Sequence, residues 1–194
     1  RTMMLDSPFD YERQAMLCVP RYLPEPHMPT MRKQLVTIAK KLIKASGGRC
    51  FLLFTSHAAL QEVAAALQEQ IDNPVLVQGS TSKQALLSAY LSDPSAVLLG
   101  TGAFWEGVDV RGNDLVCVMI DKLPFAAPDD PLLQARLEEC RKKGGNPFGS
   151  IQIPQAVITL KQGAGRLIRD PADAGVLVIC DNRLVTKPYA QTFN

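Results

Sequence analysis

The sequence is poor in the features that mark extreme classes of protein. No apolar run approaches the roughly 20 residues that a membrane-spanning helix requires, which excludes a helical membrane span. Charge of one sign is not in excess, because 21 Lys and Arg face 19 Asp and Glu and leave a formal net charge of +2. A strongly basic nucleic-acid arm is thereby excluded, so contact with an anionic partner must come from local placement of donors. At 46% hydrophobic and 21% charged, the 194 residues have an ordinary globular composition, and neither a disordered tail nor a collagen-like repeat fits. The two histidines, His27 and His57, stand far apart and show no metal-ligand spacing, so no metal site is expected. None of the five cysteines (Cys18, Cys50, Cys117, Cys140 and Cys180) stands in a C-x-x-C pair. Their odd number and the apolar runs around Cys50, Cys117 and Cys180 point to a reducing, cytoplasmic compartment.

Nucleotide and nucleophile motifs are missing too. There is no G-x-x-x-x-G-K-[ST], and Gly79-Ser-Thr-Ser-Lys83 lacks its spacing. Gly100-Thr-Gly102 and Gly163-Ala-Gly165 lack the third glycine of G-x-G-x-x-G, and no G-x-S-x-G occurs. A self-contained P-loop enzyme, dehydrogenase or hydrolase is therefore disfavoured. The chain opens on Arg1 without signal-peptide character and reads as a piece of a longer polypeptide.

What is present alternates. Residues 1–29 hold the prolines Pro8, Pro20, Pro24, Pro26 and Pro29 and one apolar run, 16–19. They read as a lead-in segment, a strand and a loop packed on the domain formed by residues 30–194. Leu35, Ile38, Ala39, Leu42 and Ile43 recur at helical spacing, with Thr30 as candidate N-cap and Gly47-Gly48 as the stop. Apolar runs at 50–54, 75–78, 96–99, 115–120 and 176–180 predict strands. Helices are predicted near 58–70 (capped by Ser56), 83–91 (capped by Ser82), 131–143 and 153–168, with a loop at 144–149. Strands apolar on both sides, alternating with helices, predict an α/β, doubly wound, mostly parallel sheet with helices on both faces. Ligands of such sheets gather at the carboxyl ends of the strands, where Thr55-Ser56-His57, the stretch 101–112 and Asp181-Asn182-Arg183 fall.

Three segments could carry chemistry. In Gln162-Gly-Ala-Gly-Arg-Leu-Ile-Arg169, a continuing helix places Gln162, Arg166 and Arg169 on one face. Paired guanidinia beside an amide suit a phosphoryl group. The plainer alternative is a helix end at which Arg169 meets the dipole and Asp170. The loop from Gly100 to Gly112 holds the only Trp, Trp105, and the acids Glu106 and Asp109; it offers backbone N–H groups to a phosphate or is an ordinary loop. Thr55 and Ser56 put hydroxyls at a strand end, as phosphate contacts or simply as a cap. The lysines Lys40, Lys41 and Lys44 read as a solvated face.

Taken in order, Phe51-Leu-Leu-Phe-Thr-Ser56, Gly100-Thr-Gly-Ala-Phe-Trp-Glu-Gly-Val-Asp109 and Gln162-x-x-Gly165-Arg166-x-x-Arg169 resemble motifs IV, V and VI of superfamily 2 helicases of the XPD/DinG family. Ser7-Pro-Phe-Asp-Tyr11, Lys122-Leu-Pro-Phe125, Asp129-Asp130-Pro131 and Asn146-Pro-Phe-Gly149 add to the resemblance, which covers nearly the whole chain. It implies a RecA-like second motor domain of a 5′–3′ DNA repair helicase. It implies ATP and Mg²⁺ shared with a first RecA-like domain, single-stranded DNA as partner, and an iron–sulfur cluster in that first half only. The isolated chain is then inactive. By the same resemblance Arg169 matches an arginine finger, Arg166 its companion and Gln162 a phosphate- or water-sensing amide. Glu106, Gly107 and Asp109 match positions near the nucleotide, and Thr55, Ser56 and Thr101 match positions near the DNA backbone. Gly163 stands where family members often carry a cation. Some bacterial members reach the replisome through a polymerase accessory subunit, so such a partner is implied through a tail beyond Asn194. Two alternatives from the residues alone are a non-catalytic doubly wound module that docks a protein, and a small-molecule α/β enzyme, which would need an acid–base pair that the sequence does not offer.

Overall fold

The computed structural model describes residues 9–105, 108, 110, 112–126 and 130–193. Six strands form one sheet: β1 (Ala15–Cys18), β2 (Cys50–Leu53), β3 (Val75–Val77), β4 (Val97–Gly100), β5 (Cys117–Ile120) and β6 (Gly175–Ile179). Their order is β1-β6-β5-β2-β4-β3, and every described pairing is parallel. Between and around them lie α1 (Tyr11–Gln14), α2 (Met31–Ser46), α3 (His57–Gln68), α4 (Lys83–Ser92), α5 (Gly102–Trp105), α6 (Pro131–Lys142), α7 (Ile153–Ala164) and α8 (Arg183–Thr186). Among the described residues no helix is long and apolar enough to cross a membrane.

Side chains alternate across a strand, so an all-apolar strand must be covered twice. Cys50, Leu52 and Phe54 face α2 and α3, packing with Leu35, Ile43, Leu60 and Leu67. Phe51 and Leu53 face the other way, toward Leu86 and Tyr90 of α4 and Leu160 of α7. Helices thus cover both faces. The thiols of Cys50, Cys117 and Cys180 are buried in this apolar interior and all five cysteines are free.

The lead-in strand is an edge of the sheet. β1 pairs with β6, Ala15 opposite Gly175, and Gln14 donates from Nε2 to the carbonyls of Asp170 (2.9 Å) and Asp173 (3.0 Å). Among the described residues no strand pairs with its other side, and Met16 is 62% and Leu17 59% exposed.

The helix signals act unevenly. Ser56 and Ser82 accept from Ala59 N–H (3.3 Å) and Ala85 N–H (3.2 Å), as caps do. Thr30 stands at the cap position of α2 but makes no capping bond through its side chain, because its backbone is helical (φ −70°, ψ −18°) where a capping residue is extended. The expected loop at 144–149 is partly taken up by a wide π turn, Phe148–Gln152, that leads directly into α7.

Gly47 and Gly48 close α2 with φ of +69° and +100°. A Cβ on Gly47 would meet nothing within 4 Å, whereas one on Gly48 would fall on the backbone of Ser95. Gly47→Ala is therefore expected to cost about 1 kcal/mol, the penalty of a left-handed alanine. Gly48→Ala adds a backbone collision and is expected to cost about 3 kcal/mol or more. Urea denaturation of the two variants checks this; equal midpoints would refute it.

Candidate functional site

Because all strands point one way, the first residues after them share a rim. After β2 come Thr55, Ser56 and His57; after β3, Gln78; after β4, Thr101; after β5, Asp121; after β6, Asp181. Polar groups are excluded from the doubly covered sheet and concentrate there.

On the β3–β4–β2 side, Thr101 is the hub. It is only 6% exposed. Its backbone N–H donates to Gln78 Oε1 at 2.6 Å, and its hydroxyl donates to the same oxygen at 3.3 Å. His57 Nε2 lies 3.2 Å from the same hydroxyl, within hydrogen-bond distance. His57 itself is exposed. Ser56 is half-buried and spends its oxygen on the α3 cap. Thr55 turns toward β5, donating from its N–H to Asp121 Oδ1 (3.0 Å) and from its hydroxyl to Oδ2 (3.2 Å).

Asp121 is buried and also accepts from its neighbour Lys122 N–H at 2.8 Å. Burial pushes its carboxyl up to about 6; the charge of Lys122 and the bonds from Thr55 and Lys122 only partly offset this. Asp181, beside it at the end of β6, is fully buried and differently served: it accepts from Leu123 N–H (2.8 Å) and pairs with Arg183, Nη2 to Oδ2 at 2.6 Å. The Arg183 guanidinium lies 5.4 Å from the Phe125 ring centre and is locked in place.

The second part of the site is the arginine pair. The sequence predicts a helix through residue 168, but α7 ends at Ala164, with Gly165 as its C-cap. Tighter bonds follow, from Arg166 N–H to the Gly163 carbonyl (3.3 Å) and from Leu167 N–H to the Ala164 carbonyl (3.1 Å). The expectation of one helical face is therefore corrected: Arg166 and Arg169 leave from a turn beyond the helix. They still converge. Arg166 Nη1 and Arg169 Nη2 donate to the same acceptor, the Val108 carbonyl, at 2.9 and 2.7 Å. Arg166 Nε also reaches back to the Gln162 carbonyl at 3.1 Å, while the Gln162 side chain is exposed on α7. Two guanidinia thus meet at one carbonyl oxygen, and a guanidinium is a planar donor of the kind that binds phosphoryl oxygens.

The expected nucleotide-side residues Glu106, Gly107 and Asp109 lie outside the described residues. Around them, Phe104, Val108 and Val110 are buried in the core on the α4–α7 face, which anchors the loop to the sheet. Gln78, Asp121 and Asp173 hold the candidate site residues through hydrogen bonds, and the sequence does not single them out. For Gln78 and Asp121 there was a usable signal, a polar residue directly after an apolar strand of a parallel sheet. Among the described residues no group of three or more His, Cys, Asp or Glu could hold a metal ion.

Asp121 generates a pH dependence. Its folded value lies above the ordinary 3.8, so the protonated form is favoured by folding. The contribution is whole below about pH 4 and is lost as pH rises through about 6, amounting to about 3 kcal/mol. Asp121→Asn keeps an oxygen for the two N–H groups and can donate to the Thr55 hydroxyl, without a buried charge. The stability of the unsubstituted chain relative to this variant should fall by about 3 kcal/mol between about pH 4 and 7. Parallel denaturation curves across that range would refute the assignment.

Comparison with known proteins agrees with this geometry. The profile described as helicase C-terminal domain matches residues 39–194. The chain is 56% identical over 192 residues to a protein of Escherichia coli named ATP-dependent DNA helicase YoaA, covering 99% of this chain and 30% of that protein. It is 37% identical over 201 residues to a Bacillus subtilis protein named 3′-5′ exonuclease DinG, covering 100% of this chain and 22% of that protein. This chain thus spans less than a third of these relatives. A solved XPD helicase shares the fold, with a TM-score of 0.73 and 22% identity over 91% of this chain and 33% of that one. With the parallel sheet, its order and its motif-bearing rim, these likenesses lead to one conclusion: the chain belongs to the helicase C-terminal domain family, as a RecA-like domain of the XPD/DinG type.

Proposed function

We propose that this chain is the second motor domain of an ATP-dependent DNA helicase that acts in DNA repair and moves 5′ to 3′ on single-stranded DNA. The observation that carries the proposal is the convergence of Arg166 and Arg169 on the Val108 carbonyl, inside the loop that begins at the rim residue Thr101. One loop thus touches a candidate DNA contact at one end and a candidate phosphate contact in its middle.

In this reading ATP and Mg²⁺ lie between this domain and a first RecA-like domain carrying the P-loop, the acidic box and the iron–sulfur cluster. Arg169 acts as the arginine finger and Arg166 as its companion, both toward the γ-phosphate, and the exposed Gln162 amide orients the attacking water or a phosphate oxygen. Glu106, Gly107 and Asp109 lie near the nucleotide. Phosphoryl transfer requires little covalent chemistry from the protein, so positioned positive charge dominates its catalysis. A finger supplied from a separate domain makes hydrolysis depend on closure of the cleft, and opening of the cleft moves the DNA-gripping surface. Thr55, Ser56 and Thr101 form that surface; Thr101 acts through the His57 and Gln78 side chains that it orients. Alone the domain is inactive, and its place is the cytoplasm. A replisome accessory subunit, bound through a segment beyond residue 194, is a further partner.

The test is ATP turnover by this domain joined to its upstream half, with and without single-stranded DNA. Arg169→Ala should lower DNA-stimulated turnover by about 10³-fold and leave the fold intact, as loss of an arginine finger does. A folded variant that keeps half its rate would refute the finger role. No turnover in the unsubstituted protein, with nucleotide bound to its upstream half, would favour a protein-docking module instead.

A further inference from the structure

Asp173 lies between the two parts of the site and is assigned to neither. It is 4% exposed. Its carboxylate divides its bonds between two segments. Oδ1 accepts from Gly112 N–H at 3.0 Å, at the exit of the loop that starts with Thr101. Oδ2 accepts from the backbone N–H groups of Arg169 (2.8 Å) and Asp170 (2.9 Å). The loop is thus tied to the arginine segment twice: at Val108 through the arginine side chains, and at Gly112 through Asp173 acting on the Arg169 main chain. The turn bearing Asp173 is itself braced, by Asp173 N–H to the Asp170 carbonyl (3.0 Å) and by the Gln14 amide from the edge of the sheet.

We propose that Asp173 is a positioning residue that couples the Gly112 end of the DNA-facing loop to the finger, so that a displacement of Gly112 is delivered to Arg169. This rests on the motor-domain reading above. A side-chain bond alone would let Arg169 slip from the Val108 carbonyl while its backbone stayed behind. The carboxylate fixes the Arg169 N–H itself, and with it the origin of the guanidinium. A buried carboxylate suits this work because all three of its partners are backbone donors, and bonds to an ionised acceptor are short and strong.

The chemistry also selects the variant. Asp173→Asn is the same size but has one acceptor oxygen. With that oxygen toward Arg169 and Asp170 it keeps two bonds and turns an NH₂ toward Gly112 N–H, cutting the Gly112 tie and leaving the one at Val108. The experiment uses the full-length helicase and measures ATP turnover with and without single-stranded oligonucleotide, together with oligonucleotide affinity. In Asp173→Asn the ratio of DNA-stimulated to basal turnover should fall about tenfold, in the range of coupling between linked sites, with affinity for the oligonucleotide unchanged. A purely structural role would lower both rates together and leave the ratio as it was, which would overturn the proposal. Loss of stimulation in the unsubstituted enzyme, or its survival in Arg169→Ala, would count against the motor reading and not against Asp173 alone. Hydrogen exchange on the unsubstituted enzyme gives a second arm that needs no variant. Oligonucleotide without nucleotide should change protection in residues 166–173 along with residues 101–112; a change confined to 101–112 would also overturn it.

Discussion

One constraint governs the rest: every described strand of the sheet runs in the same direction. Neighbouring parallel strands cannot be joined by a tight turn, so each connection must cross a face, and both faces become covered. Covered faces admit only apolar side chains, as the fully buried runs of β2, β4 and β5 show. Polar groups are driven to the strand ends, and parallelism puts all the carboxyl ends on one side. Thr55, Gln78, Thr101, Asp121 and Asp181 come from five distant stretches of sequence. They are neighbours because the backbone hydrogen bonds of the sheet leave them nowhere else to emerge.

The same constraint explains what could be read from the residues. The strands and their covering helices were legible because apolar runs and helical spacing are local, and Ser56, Ser82 and Gly47 mark boundaries by their own chemistry. The end of α7 was not legible. Leu160, Leu167 and Ile168 continue an apolar pattern, yet Gly165 caps the helix and the N–H groups of Arg169 and Asp170 are taken by Asp173. That bond arises from a turn that returns against the sheet, beyond the reach of a periodicity. The arginines could be picked out by type and spacing, and they do converge, though from a turn. Asp121, Gln78 and Asp173 are ordinary residues in the sequence. Burial and partners make them special, and both are properties of distant segments.

The charged groups around the rim are few and locally paired or gathered. The Arg166 and Arg169 guanidinia share one carbonyl, and Asp181 and Arg183 neutralise each other at the end of the sheet. Within a net charge of +2, two guanidinia meet at one carbonyl, and the rim around Thr101 presents hydroxyl, amide and imidazole groups.

The edge position of β1 has a consequence in time. Among the described strands it is the first to be synthesised, and its partner there, β6, is the last. While the ribosome works through the intervening chain, Met16 and Leu17 have no strand to lie against. The pairing is among the most non-local in the sheet, and non-local pairings form slowly because the loop must close before any contact rewards it. The sheet thus gains its edge strand late: until β6 is made the nascent domain carries an apolar strand without its partner, and chaperones have their opportunity in that interval.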